Sequence, residues 1–237
     1  MNRPNVHCSR IVARRRTGYV LAMKHALIFA PAFCIATMAA AHPHIFVEAQ
    51  VEVVMDGSGA VTGVRLIWDY DDFFGFLLTT DLGIDPEGDL ILTPEEAELL
   101  EEQVLAWPDD FAGDLSITQN GRVLALGPRE QASAELRNGR VRETHFRPLV
   151  APADAATPIS VQVYDPFYYV AYEIVGEIGL TGGDGCVAQY QKADLNAASS
   201  LVDELLNGRP ASDVGPDEEF PEVGVAFADT VIVSCNG

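Results

Sequence analysis

The stretch His42-Pro43-His44-Ile45-Phe46-Val47-Glu48-Ala49-Gln50-Val51-Glu52-Val53-Val54-Met55 decides the architecture. From Ile45 onward, Ile45, Val47, Ala49, Val51 and Val53 take one parity, and Phe46, Glu48, Gln50 and Glu52 take the other. A period of two with one apolar face predicts a half-buried strand. Asp56-Gly57-Ser58-Gly59 is a turn signal, and Val61 to Tyr70 alternates again through Val64, Leu66 and Trp68. The two runs predict an antiparallel hairpin, so His42 and His44 stand at the entry to the first strand of a folded domain.

The chain before this strand has another character. Met23-Lys24-His25, an apolar run from Ala26 to Thr37, and Ala39-Ala40-Ala41 read as the basic, apolar and small-residue parts of a secretory signal. The apolar run is too short for the roughly 20 residues of a membrane span. The expectation is a signal peptide over residues 1–41, with Met23 as an alternative start, and a single periplasmic domain over residues 42–237. No stable membrane insertion is expected after cleavage. All 35 acids and nine of the 15 bases lie beyond residue 41, giving that part a net charge of −26. Such a charge argues against nucleic acid and anionic lipid as partners. Of four cysteines only Cys186 and Cys235 remain in this part. In an oxidising compartment a lone pair without C-x-x-C spacing predicts one disulfide.

After the first hairpin, Asp71 or Asp72 can cap a helix through the apolar segment Phe73 to Leu78, whose aromatics are expected in the core. Thr93-Pro94-Glu95-Glu96 is a capping box with proline in the first turn, opening a helix to about Trp107. Asn120-Gly121 and Asn138-Gly139 predict two more hairpins. A loop over Pro152–Pro158, strands flanking Asp165-Pro166, a strand from Cys186, a helix capped by Asp194, a loose acidic stretch at 209–223 and a final strand ending at Cys235 follow. The sum is about nine strands and two or three helices without βαβ alternation. The expected fold class is α+β, mostly antiparallel and sandwich-like, with a helical insertion at about 72–108 and one C-terminal helix.

The candidate chemistry is metal binding. Beyond residue 41 the only histidines are His42, His44 and His145. Cleavage after Ala41 would give His42 a free amine beside its imidazole, a chelating pair for a divalent ion. His44 or His145 could add a second ring, and Asp165, on its turn, a carboxylate. Imidazole suits Zn, Ni, Co or Cu. Pro43 has no N–H, which forbids the copper motif that uses deprotonated amides ahead of a third-position histidine. Separately, Asp85, Glu87, Asp89 and Glu96 fall at positions 1, 3, 5 and 12 of an EF-hand-like loop, with Thr93 at 9. Leu90 occupies position 6, where that loop needs glycine. No G-x-S-x-G, phosphate loop or H-E-x-x-H occurs, which argues against a hydrolase or kinase and leaves a copper oxidase built on His42 open; the expectation is binding and not catalysis.

His42-Pro43-His44-Ile45-Phe46-Val47, Trp68-Asp69-Tyr70-Asp71-Asp72-Phe73-Phe74, the acidic loop ending Leu92-Thr93-Pro94-Glu95-Glu96, Val163-Tyr164-Asp165-Pro166-Phe167-Tyr168-Tyr169-Val170 and the terminal strand closing at Cys235 together resemble the bacterial periplasmic family DUF1007. The resemblance covers residues 42–235. It implies a periplasmic component of an uncharacterised ABC-type transport system, of the kind associated with nickel/cobalt-type membrane exporters or permeases, and so a metal-linked accessory role with a membrane metal transporter as partner. Two rival expectations accompany it: a copper-dependent oxidase built on His42, and a non-catalytic interaction module stabilised by calcium in the 85–96 loop.

Overall fold

The computed structural model describes residues 43–108, 111–215, 218 and 220–235. The first hairpin forms as the pattern demands: β1 (Ile45–Met55) pairs antiparallel with β2 (Ala60–Tyr70), Val47 opposite Tyr70 and Val53 opposite Val64. Val47, Ala49, Val51 and Val53 are buried, while Phe46 and Glu48 on the other parity are exposed. Asp56 closes the turn, its carboxylate accepting from the amides of Ser58 and Ala60.

Two sheets result. The first runs β5 (Glu130–Arg137), β6 (Arg140–Asp154), β2, β1, β8 (Val170–Ile174), with β9 (Gly179–Thr181) also on β1. The second runs β10 (Cys186–Gln191), β11 (Thr230–Cys235), β7 (Ile159–Val163), β3 (Leu115–Gln119), β4 (Arg122–Val123). Their inner faces share one core, with Val51, Leu66 and Trp68 meeting Ile117, Val161 and Val231. The fold is α+β with two mostly antiparallel sheets. The exception is β1, which pairs in parallel with both β8 and β9.

The predicted loop at 152–158 is partly strand, because β6 continues to Asp154. The register against β2 shifts after Pro148, which has no N–H to give the ladder. There β6 bonds the segment ahead of β5 instead: Gly127 N donates to Pro148 O at 2.7 Å, and Val150 N to Ala125 O at 2.9 Å. The final strand begins at Thr230 instead of Ala226, because residues Gly224–Phe227 form a short helix, α4.

The insertion is a pair of helices, α1 (Asp72–Leu82) and α2 (Pro94–Val104). Asp71 caps α1, accepting from Phe74 N, and Thr93 with Glu96 makes the full capping box of α2. The pair packs on β5 and β6 through a small second core of Ile84, Leu100 and Val141. Gly75 lets α1 lie directly on the β5–β6 turn, where a side chain would strike the carbonyl of Gly139. The α1 aromatics correct the expectation of a core position. Phe74 turns inward, but Phe73 and Phe76 are 65% and 62% exposed. An 11-residue helix lying on a sheet buries one stripe only, and this one is apolar on more than one side. α3 (Leu195–Leu205), capped by Asp194, is the C-terminal helix that the pattern predicts.

Cys186 and Cys235 are bonded, closing a 49-residue separation. They stand directly opposite each other in the β10–β11 pair, so the bond ties the last strand of the chain to its neighbour.

Candidate functional site

The entry to β1 is held by a turn from far along the chain. In Asp165-Pro166-Phe167-Tyr168-Tyr169, Asp165 folds the backbone back on itself. Its Oδ1 accepts from Phe167 N at 3.1 Å, and its Oδ2 from Tyr169 N at 2.7 Å and Val170 N at 3.0 Å. Tyr168 takes a left-handed φ of 56° to complete the turn. Tyr169 then presents its carbonyl to His44, whose N–H donates to it at 2.9 Å. The His44 ring lies 4.7 Å from the Tyr169 ring. On the far side, Gly224 N donates to Pro166 O, and a side chain at Gly224 would collide with the carbonyl of Asp165.

His44 and the Asp165 turn are therefore neighbours although 121 positions separate them. An ionised carboxylate offers about four lone-pair directions. Three are taken here by backbone amides, leaving one on Oδ1 for a ligand. His42 lies outside the described residues. Among the described residues no three His, Cys, Asp or Glu side chains converge as a metal-holding group.

His145 does not join them. It lies on the inward parity of β6 and is completely buried, its ring edge-on to Trp68 at 4.7 Å and to Trp107 at 5.0 Å. Its Nδ1 is 3.1 Å from Glu143 Oε1, but poorly aimed, and neither ring nitrogen makes a directed hydrogen bond. Glu143 is instead paired with Arg129 at 3.2 Å, and Arg129 lies 3.9 Å over the Trp107 ring while donating to Leu105 O. The expected role of His145 as a further metal ligand needs a shared surface with His44, which a fully buried ring lacks.

The same end of the sandwich holds Asp114, which sequence reasoning missed. Tyr172 OH donates to its Oδ2 at 2.7 Å. Burial, together with the Asp165 charge, pushes its carboxyl up to about 7 against the pull of the tyrosine hydrogen bond. Tyr172 itself is pushed well above its ordinary range by burial and by Asp114.

The 85–96 loop has the helix–loop–helix setting predicted for it. Leu90 adopts φ 63°, the left-handed conformation that position 6 requires, without being glycine. The loop's carboxylates bind its own amides: Asp85 accepts from Asp89 N and Leu90 N, Asp89 from Ile91 N, and Glu96 from Asp85 N and Thr93 N. These bonds hold Glu96 below the usual carboxylate range.

What these features define is an acidic, disulfide-tied α+β sandwich with a capped helix pair inserted after its first hairpin. The chain belongs to the DUF1007 family, described as a protein of unknown function, whose model matches residues 27–235. No curated protein matches the chain. Among the described residues no helix is long and apolar enough to cross a membrane.

Proposed function

We propose that this protein is a periplasmic metal-binding accessory of a membrane transporter, taking a divalent transition metal at the entry to β1. His42 and His44 would hold the ion, with the free lone pair of Asp165 as an added donor. One observation carries the reading: the His44 backbone is fixed to the Asp165 turn through Tyr169. A histidine held by a strand and a distant turn loses little freedom on binding an ion, and preorganisation of this kind raises affinity. The Cys186–Cys235 bond is in keeping with an oxidising compartment. The high negative charge favours cations over anionic partners.

Calorimetric titration of the form beginning at His42 with Zn, Ni, Co and Cu tests this. Binding at one site, weakened at least about 10-fold in His44→Ala, is the expected result. Unchanged affinity in His42→Ala/His44→Ala refutes it.

A further inference from the structure

Beside the entry to β1 lies a cavity of about 340 Å3 with an unusual wall. Trp68, Tyr70, Phe74, Phe111 and Tyr172 line it together with Ile45, Val170 and the carboxylates of Asp114 and Asp165. Four of the rings touch in series. Trp68 sits 5.3 Å from Tyr172 in a tilted pair and 6.4 Å from Tyr70 edge-on, and Tyr70 stacks on Phe74 at 4.6 Å. Phe111 is fixed from behind by an edge-to-face contact with Trp107 at 4.9 Å. Arg129 goes to Glu143 and the Trp107 ring and Arg142 to Asp69, while the buried Arg147 lies beside Gly113.

Aromatic rings carry negative potential on their faces. Several of them around one space attract a cation whose own hydration is weak, most of all a quaternary ammonium. The Asp165 carboxylate adds to that attraction and repels anions, as does Asp114 once it is ionised. A small divalent metal ion is a poor match, because its ligands must be oxygen, nitrogen or sulfur lone pairs, and seven of the nine lining residues offer only rings or aliphatic groups to the wall apart from the tyrosine hydroxyls. The volume falls in the range of small-molecule pockets and takes a trimethylammonium group with a short substituent.

We propose that this cavity is a binding site for a small organic cation of the alkylammonium class, separate from the metal site at His42 and His44. The site does not depend on the metal reading, and the two use different side chains except at the Asp165 turn. Its selectivity is for charge: the carbon isostere of the same ligand fills the same space but gains nothing from the ring faces or the acids.

The test uses choline as probe and 3,3-dimethyl-1-butanol, its neutral carbon analogue, as control, by calorimetry and by tryptophan fluorescence, since Trp68 is in the wall. Choline is expected to bind and to shift the emission, and the neutral analogue to bind at least about 10-fold more weakly. Phe111→Leu keeps apolar bulk but removes a ring, and should weaken choline several-fold. A melting curve close to wild type shows that this variant is folded, and Phe74→Leu serves as the second variant. His44→Ala should leave choline binding intact while weakening metal binding, so failure of one proposal is separable from failure of the other. No choline binding up to about 10 mM, or equal binding of the neutral analogue, overturns the inference.

Discussion

Replacing Asp165 by alanine removes the acceptor of three backbone bonds at once. The amides of Phe167 and Tyr169 are on the exposed side of the turn and regain water, so each lost bond costs about 0.5–1 kcal/mol. The Val170 amide is half-buried at the start of β8 and recovers less, about 1.5 kcal/mol. The sum is about 3 kcal/mol, which for a domain of this size lowers Tm by roughly 6–12 °C. Asp165→Asn gives the contrast. Its carbonyl oxygen can still serve Tyr169 and Val170, and only Phe167 N faces the new NH2, so about 1 kcal/mol is expected. Urea unfolding followed by circular dichroism measures both, with m unchanged if the native surface is preserved. Should Asp165→Ala fall within about 0.5 kcal/mol of wild type, the turn is not held by its carboxylate, and the account of how His44 is seated fails with it.

Asp114 gives a pH signature. Its carboxyl titrates near 7 in the folded protein and near 3.8 when unfolded, so between those values the native state holds a proton that the unfolded chain has released. Stability therefore falls as pH rises through that window, by at most about 1.4 kcal/mol per pH unit. The groups facing Asp114 are the Tyr172 hydroxyl, the Asp165 carboxylate and Tyr70. In Asp114→Asn this contribution should vanish, and stability curves of variant and wild type that stay parallel from pH 4 to about 7 would refute it. On α1, Phe73→Ser and Phe76→Ser should each change unfolding free energy by less than about 0.5 kcal/mol, because both rings are mostly in water. A loss above about 2 kcal/mol in urea unfolding would restore them to the core.

The strand pattern was readable because burial and charge alternate so cleanly. β1 carries valine or alanine at each buried position from 47 to 53, and the Asn-Gly turns place β3 to β6. The apolar run of α1 misled for a physical reason: Phe73, Phe76 and Leu77 are as apolar as a core stripe but are exposed. β9 is three residues long and went unseen, since its place is set by parallel pairing to β1 rather than by its own pattern. For the site, residue chemistry singles out His44 and Asp165, which the fold joins through the Tyr169 backbone, but it does not single out Asp114. Its sequence neighbourhood, Gly113-Asp114-Leu115, looks like an ordinary strand entry, and only burial against Tyr172 marks it. A signal for the buried polar row existed: Glu143, His145 and Arg147 occupy the same parity as Val141 and Leu149.

The parallel seam between β1 and β8 has a consequence in time. Residues 45–49 emerge early from the ribosome or an export channel, but the strand they pair with in parallel is residues 170–174, and the turn before it rests on Gly224. Hairpin β1–β2 can form as soon as residue 70 is free, whereas the seat of His44 exists only once the chain has been delivered to about residue 224. A ribosome-stalled or truncated chain ending before residue 224 would thus present the histidine without its anchor. Competence at the first strand is in effect a report that the chain has arrived at least as far as residue 224.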